Sequence, residues 1–387
     1  MTSTRPLRIA ILAHSTNPRG GVVHALALGD ALVRLGVEAV VHAPDVNGSG
    51  FFRDTLCRTV SVPASPVGKD MTGMVETRIA DYVRHFETAV TRRFDVFHAQ
   101  DGISANALAS LKERGLIGRF ARTVHHIDAF RDPRLEALQR RAITSAERHF
   151  VVSHAWRERL AADFGIDAVV VGNGVDRERF TPVADGREAD LRRRLGLSGG
   201  PVLLAIGGVE ARKNAIGILE AFILFHAHHP SAQFIIAGGA SLLDHDAYRV
   251  RFRETLAASG LPPWAVIETG PIPQADMPAL YRIADALIFP SLNEGFGLVV
   301  LEAMASERPV IVSRIAPFTE YLGEDDAAWC DPANPASISA AITAVLTEPQ
   351  RTQFIQRGRD VARRHDWLGT ARAHLATYNA LKEPTYA

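Results

Sequence analysis

Cysteine is nearly absent from this chain: among 387 residues only Cys57 and Cys330 occur. Two thiols so far apart give no disulfide framework and no CxxC spacing for a metal. Both are expected as small buried thiols in a reducing compartment. An excess of charge is missing too, since 43 Lys and Arg stand against 43 Asp and Glu. No global field therefore draws the chain to nucleic acid or to acidic partners. Apolar runs of about 18 residues, the length of a membrane-spanning helix, do not occur. Met1 to Pro6 lead almost directly into an apolar strand, without the core of a signal peptide, so a cytoplasmic location is expected. Short-period repeats and low-complexity tracts are missing. So are G-x-x-x-x-G-K-[ST], G-x-S-x-G and H-E-x-x-H, which removes P-loop, nucleophile-elbow and zincin chemistry.

What remains is a folded composition, 47% hydrophobic, on a chain longer than one core usually supports. Two domains are expected. Short β-branched runs alternate with longer helical patterns, the sign of βαβ units and parallel sheets. Strands are predicted at 7–13, 38–43, 56–62, 95–99, 122–125, 149–152 and 169–171, with helices at 22–35, 71–92 and 104–114 between them. A polar stretch from about Arg177 to Gly200 reads as a connection with one short helix, 188–195. Strands restart at 202–206, 233–237, 266–269, 286–289, 310–312 and 327–330, and the chain from 337 to 381 reads as mostly helical. The fold class is thus α/β, with two Rossmann-like, doubly wound domains. In such sheets ligands bind at the C-terminal ends of the strands.

The densest chemistry lies in Phe289-Pro290-Ser291-Leu292-Asn293-Glu294-Gly295-Phe296-Gly297-Leu298, which continues to Glu302-Ala303-Met304. Glu294 falls in a turn after a strand. The amides near Gly297 and Leu298 open a helix, where unpaired N–H groups and the dipole favour an anion. Glu302 follows further along that helix, within reach of a hydroxyl on the same ligand. A carboxylate, an anion position and a second carboxylate suit a nucleotide-sugar, with hydroxyls at both ends and phosphate between. This stretch resembles the E-x7-E element of retaining glycosyltransferases of GT-B architecture, above all family 4.

Gly20 and Gly21 sit at a strand-to-helix turn where backbone can approach phosphate. The resemblance implies that they border the donor phosphate and the acceptor. Thr123-Val124-His125-His126 resembles the family's T-x-H, which implies that His125 contacts the donor sugar. His98, ending an earlier strand, is a candidate acceptor contact. Asn173-Gly174-Val175-Asp176 matches an N-G-V-D turn that ends the first domain. In the second half Gly207-Gly208-Val209-Glu210-Ala211-Arg212-Lys213-Asn214 stands where the family has G-R-x-x-x-x-K-G. Lys213 keeps the lysine, Gly208 replaces the arginine and Asn214 replaces the last glycine. Arg212 is a candidate substitute for the missing cation. Ile272, in the loop after strand 266–269, is where the resemblance places a nucleobase contact. The small-Gly-x-Pro of the family appears as Ser306-Glu307-Arg308-Pro309, and its later glycine-rich turn as Ala316-Pro317-Phe318-Thr319-Glu320. Asp244-His245-Asp246 is read as capping and solvation rather than a metal clamp. Arginines crowd between Arg114 and Arg159, among them Arg122, Arg134, Arg141 and Arg157, with acids interleaved. A solvated face is expected there, with peripheral contact to an anionic membrane as the other candidate.

Together these imply a retaining hexosyltransferase with domains at 1–180 and 200–365 and a C-terminal helix, 366–387, returning to the first domain. Catalysis would fall to His125, Lys213 and Glu294. Donor binding would fall to Gly20, Gly21, Arg212, Ile272, Gly295, Phe296, Gly297, Leu298 and Glu302. The nucleotide-sugar is a substrate, a UDP-sugar before a GDP-sugar. No cofactor and no metal are expected. The acceptor is an unidentified glycan, lipid or small molecule. A nucleotide-sugar epimerase and an inactive sugar- or nucleotide-binding protein are the alternatives.

Overall fold

A computed structural model describes residues 5–68, 70–239 and 246–381. The chain divides into two compact units. One holds the chain up to Asn173 together with the helix from Trp367; the other runs from Gly174 to Asp366.

The first unit contains β1 (Arg8–Leu12), α1 (Gly20–Arg34), β2 (Glu38–Asp45), β3 (Arg58–Pro63), α2 (Met71–His85), β4 (Val96–Ala99), α3 (Gly102–Glu113), β5 (Phe120–Val124), α4 (Pro133–Thr144), β6 (Arg148–Val151), α5 (His154–Phe164) and β7 (Val169–Val170). Its sheet is parallel, in the order β3-β2-β1-β4-β5-β6-β7. That order reverses beside β1, the switch point of a doubly wound sheet. Alternation along the strands supplies two cores. Ile9 and Ile11 face Leu26, Leu28 and Val41; Ala10 and Leu12 face Phe97, Leu108 and Phe120. Helix α2 stops at His85, short of the predicted end at Arg92. The Thr91 hydroxyl donates to the Thr88 carbonyl at 2.8 Å, and Arg92 Nη1 donates to the Phe86 carbonyl at 2.7 Å. Such side-chain bonds offer the backbone an alternative to the helical ladder.

The second unit contains α6 (Glu188–Arg194), β8 (Val202–Ile206), α7 (Ala215–His226), β9 (Gln233–Ala237), α8 (Asp246–Ala258), β10 (Val266–Gly270), α9 (Met277–Ile283), β11 (Ala286–Phe289), α10 (Leu298–Ala305), β12 (Val310–Ser313), α11 (Phe318–Tyr321), β13 (Ala328–Cys330), α12 (Pro335–Leu346) and α13 (Gln350–Arg364). Its parallel sheet runs β10-β9-β8-β11-β12-β13. Phe222, Phe225 and Phe234 centre a core shared by α7, β9 and α12. Truncating one such ring to Ala would cost about 3–5 kcal/mol. The segment following Gly174 belongs to this unit. Its Arg282 anchor, 4% exposed on its side chain, binds Asp185 at 2.8 Å and Glu188 at 2.5 Å. Asp244 and His245 lie outside the described residues, and Asp246 opens α8.

The final helix, α14 (Trp367–Leu381), packs on the first unit. Tyr378 and His374 are fully buried against Phe150, with ring centroids at 5.7 and 4.3 Å. No helix among the described residues is long and apolar enough to cross a membrane.

Candidate active site

In the second unit, the loops after β8 and β11 are joined by a backbone bond from Leu292 N–H to the Arg212 carbonyl at 2.9 Å. That bond brings Lys213 and Arg212 to Glu294. Lys213 Nζ donates to Glu294 Oε2 at 2.5 Å. Arg212 Nη1 donates to the same oxygen at 3.0 Å. The Gly295 N–H donates to Oε1 at 3.1 Å. Burial alone would raise the Glu294 pKa; the Lys213 and Arg212 charges and these donors outweigh it and hold the carboxyl below its ordinary value. Lys213 is pulled down by burial, Glu294 partly restoring it.

Local chain geometry sets this up. The Lys213 stem lies along Gly207, where an added Cβ would sit 3.0 Å from Lys213 Cε. Lys213 Nζ lies 4.2 Å from the centre of the Phe289 ring, a cation–π contact. Asn214 enters α7 at φ 59°, a left-handed conformation that glycine or asparagine adopts at least cost. The glycine at the matching family position is thereby explained, as is its replacement. Gly297, at φ 90°, precedes α10; a Cβ there would lie 2.6 Å from Phe318 Cε1. Phe296 is buried and stacks on Tyr321 at 4.7 Å. Leu298 is the first helical residue, and Gly295 lies half-buried before it.

Glu302, on α10, stands apart from that group. Its Oε2 accepts from the Tyr281 hydroxyl at 2.6 Å. Burial raises its pKa, opposed by that hydrogen bond and by the Arg179 charge. Arg179 is itself held by the Gln274 carbonyl at 2.8 Å. Ile272 is half-buried in the loop after β10. Tyr281 and Arg179 fall outside the motifs read from the sequence, and the available signal was a tyrosine within the short, mostly apolar α9.

In the first unit, the loops after β1, β4 and β5 form a second group. Gly20 is exposed and Gly21 half-buried at the start of α1. A Cβ on Gly21 would touch the His125 ring at 3.5 Å. His125 Nε2 meets Gln100 Oε1 at 3.0 Å, and its ring stands edge-on to His24 at 4.9 Å. Burial, with His24 next, pushes the His125 pKa well below that of a free imidazole. It is therefore neutral at pH 7, able to donate or accept one hydrogen bond.

Two expectations need correction here. His98, a candidate acceptor contact, is 0% exposed. Its Nε2 pairs with Thr123 Oγ1 at 2.8 Å and its Nδ1 with the Tyr378 hydroxyl at 2.6 Å. With both ring nitrogens engaged under α14, it is a core residue. Arg122, counted in a solvated face, is 5% exposed. The solvated reading fits its neighbours: Arg134 pairs with Glu76 at 2.5 Å, Arg141 with Glu113 at 2.9 Å and Arg157 with Asp167 at 2.9 Å.

Comparison with known proteins bears on the family and the fold. The chain is 25% identical over 367 residues to a glycogen synthase of Mycobacterium tuberculosis, covering 90% of this chain and 81% of that one. It is 26% identical over 426 residues to a D-inositol 3-phosphate glycosyltransferase of Salinispora arenicola, covering 97% and 92%. Its fold is similar to HepE of Anabaena, solved with UDP and glucose, at TM-score 0.76 and 18% identity, covering 97% and 100%. It is similar also to a sucrose-phosphate synthase of Thermosynechococcus elongatus, at TM-score 0.77 and 21% identity, covering 97% and 99%. The model of Glycosyltransferase Family 4 matches residues 18–179 and that of Glycosyl transferases group 1 matches residues 187–361. On these two matches, which between them take in both units, the chain belongs to the group 1, family 4 glycosyltransferases, which use nucleotide sugars.

Proposed function

We propose that this chain transfers a hexose from a nucleotide-diphosphate sugar to an acceptor hydroxyl with retention at the anomeric carbon and without a metal ion. The observation that carries the reading is the convergence of Lys213 and Arg212 on Glu294 Oε2, at 2.5 and 3.0 Å, beside the first turn of α10. Two cations and a row of helix amides supply positive charge where a diphosphate would depart. Glu294 holds those cations in place and turns its second oxygen to sugar hydroxyls. Glu302, oriented by Tyr281, takes the ribose, and the loop at Ile272 takes the base. His125, Gly20 and Gly21 are assigned to the sugar and the acceptor. UDP is placed before GDP because the similar HepE structures hold UDP or UDP-glucose.

In the proposed step the bond between the anomeric carbon and the phosphate oxygen breaks. The acceptor oxygen bonds to the same face of that carbon. The acceptor proton leaves with the nucleoside diphosphate.

The test is a thermal-shift panel with UDP, GDP, ADP and UDP-glucose, followed by NMR of the product anomer. A ligand at a hundredfold its Kd adds about 2.7 kcal/mol. Selective stabilisation by one diphosphate and a retained anomer, unaffected by EDTA, are expected. An inverted anomer refutes the stereochemistry. Loss of turnover in EDTA refutes metal independence. No response to any nucleotide removes the donor site.

A further inference from the structure

Strand β5 carries a buried charge whose hydrogen bonds the fold leaves partly unmade. Arg122 lies in register between Ala99 of β4 and His149 of β6. It is 5% exposed. Its Nε and Nη1 are both buried without a hydrogen-bond partner among the described residues. Burial brings its pKa down to about 10, so the guanidinium stays charged at neutral pH. A buried arginine normally spends its donors on a carboxylate or on carbonyls, because unmade bonds to a buried charge are costly.

The surroundings fit a ligand position. Asp101 and His125, on the loops after β4 and β5, lie within electrostatic reach of Arg122. Asp101 uses Oδ1 to cap α3, accepting from Ser104 N–H at 2.8 Å. Its Oδ2 is buried with no hydrogen-bond donor, 3.9 Å from His14 Nδ1 on the loop after β1. His149, opposite on β6, turns its Nε2 to the Ile143 carbonyl at 2.6 Å. Arg122, two residues before the end of β5, thus has two strand-end loops within electrostatic reach, on the side where doubly wound sheets bind ligands. A guanidinium fork matches the two oxygens of a phosphate or a carboxylate.

We propose that Arg122 anchors an oxyanion group on the acceptor, so that the acceptor is a phosphorylated or carboxylated hydroxyl compound. This rests on the reading above, in which the first unit handles the acceptor. Asp101 acts as a counter-charge that tunes the affinity.

The test titrates inorganic phosphate, and separately acetate, against the full chain, with and without saturating UDP, by calorimetry and thermal shift. Wild type should bind one of these anions with UDP present. A stronger response to phosphate assigns a phosphate monoester; a stronger response to acetate assigns a carboxylate. Arg122→Met should weaken anion binding by roughly tenfold or more while its UDP response stays as in wild type. Asp101→Asn, which can still cap α3, should tighten anion binding by about threefold or more. If Arg122→Met does not fold, Arg122→Lys replaces it and should bind several-fold more weakly, having lost the fork. Equal binding by wild type and the Arg122 variant overturns the proposal. So does unchanged binding by Asp101→Asn, and so does a wild type that responds to neither anion. Failure of every variant to respond to UDP counts against the donor reading alone.

Discussion

In the proposed reaction Lys213 and Glu294 are the central pair, and their coupling can be measured. Lys213→Met keeps the stem against Gly207 and Phe289 and removes the charge. Glu294→Gln keeps the shape and one carbonyl oxygen. At 2.5 Å two unit charges attract by about 7 kcal/mol at an effective dielectric of about 20. The side chains are only 13% and 11% exposed, so desolvation offsets most of that attraction. Arg212, 3.0 Å from the same oxygen and 44% exposed, compensates in part when Lys213 is lost. The net coupling should be about 2 kcal/mol. Urea unfolding of wild type, both single variants and the double variant completes the cycle. Each single variant should lose stability because it leaves one buried charge poorly answered; the double variant should lose less than their sum. Turnover gives an independent reading. Removing one group that stabilises the departing diphosphate should lower kcat by about 10²–10³. A coupling below about 0.5 kcal/mol, or a Lys213→Met turnover within a few-fold of wild type, would refute the reasoning.

Tyr281→Phe removes the donor that orients Glu302 and should weaken UDP binding by about tenfold, near 1.5 kcal/mol, by calorimetry; unchanged affinity would separate Glu302 from the ribose. Gly297→Ala combines a left-handed φ of 90° with a Cβ 2.6 Å from Phe318. It should destabilise the second unit by about 3 kcal/mol in urea unfolding, and a neutral result would mean that the loop before α10 yields freely. Acid should act in part through His24, whose pKa burial lowers from 6.5 to about 4, beside His42 and His374, each lowered by burial to about 3. The folded state holds His24 neutral, so its contribution is full above about pH 6.5 and is lost as pH falls towards 4. That contribution is up to about 3 kcal/mol. His24→Leu should therefore show a shallower fall of Tm across that window, and parallel profiles would exclude His24 from the acid-sensitive groups.

Alternating short strands and longer helices were legible because the central strands, such as β1, β4, β8, β9 and β11, are buried on both faces and mostly apolar. The strands of the second unit start and stop within a residue of their expected positions. What stayed hidden depends on register or on partners distant in sequence. β5 was expected from Arg122; it begins at Phe120. Extended back by two residues, the strand puts Arg122 on the same face as Phe120 and Val124, under the helices. A charge-counting reading of the same residues gives a solvated face. His98 was misplaced for the converse reason. Its strand end suggested a ligand loop, but the helix that covers it arrives 280 residues later, with Tyr378. Glu294 and Glu302 were visible as a spaced pair. That Glu294 answers two cations while Glu302 answers a tyrosine could not be read from the spacing.

The departure at Gly208 shows how the second unit manages its charge. Gly208 adopts φ 74°, and a Cβ on it would lie 2.9 Å from the Gly239 carbonyl oxygen. An arginine at this position would have to displace the backbone of Gly238 and Gly239 at the end of β9, so its absence is built into the loop as well as into the sequence. The cation is supplied four residues later. Arg212 sits before the left-handed Asn214, which turns the chain into α7 and leaves the guanidinium 3.0 Å from Glu294. Glu210, 4% exposed, lies 3.8 Å from the other side of Arg212. Two carboxylates thus balance two cations. A diphosphate would compete with Glu210 and Glu294 for the same donors, and Arg212, the most exposed of the four, is the one free to turn towards it. On the proposed reading, the charge that stabilises a leaving group moves along the loop from position 208 to Arg212, provided that the backbone glycines keep the loops close enough to share it.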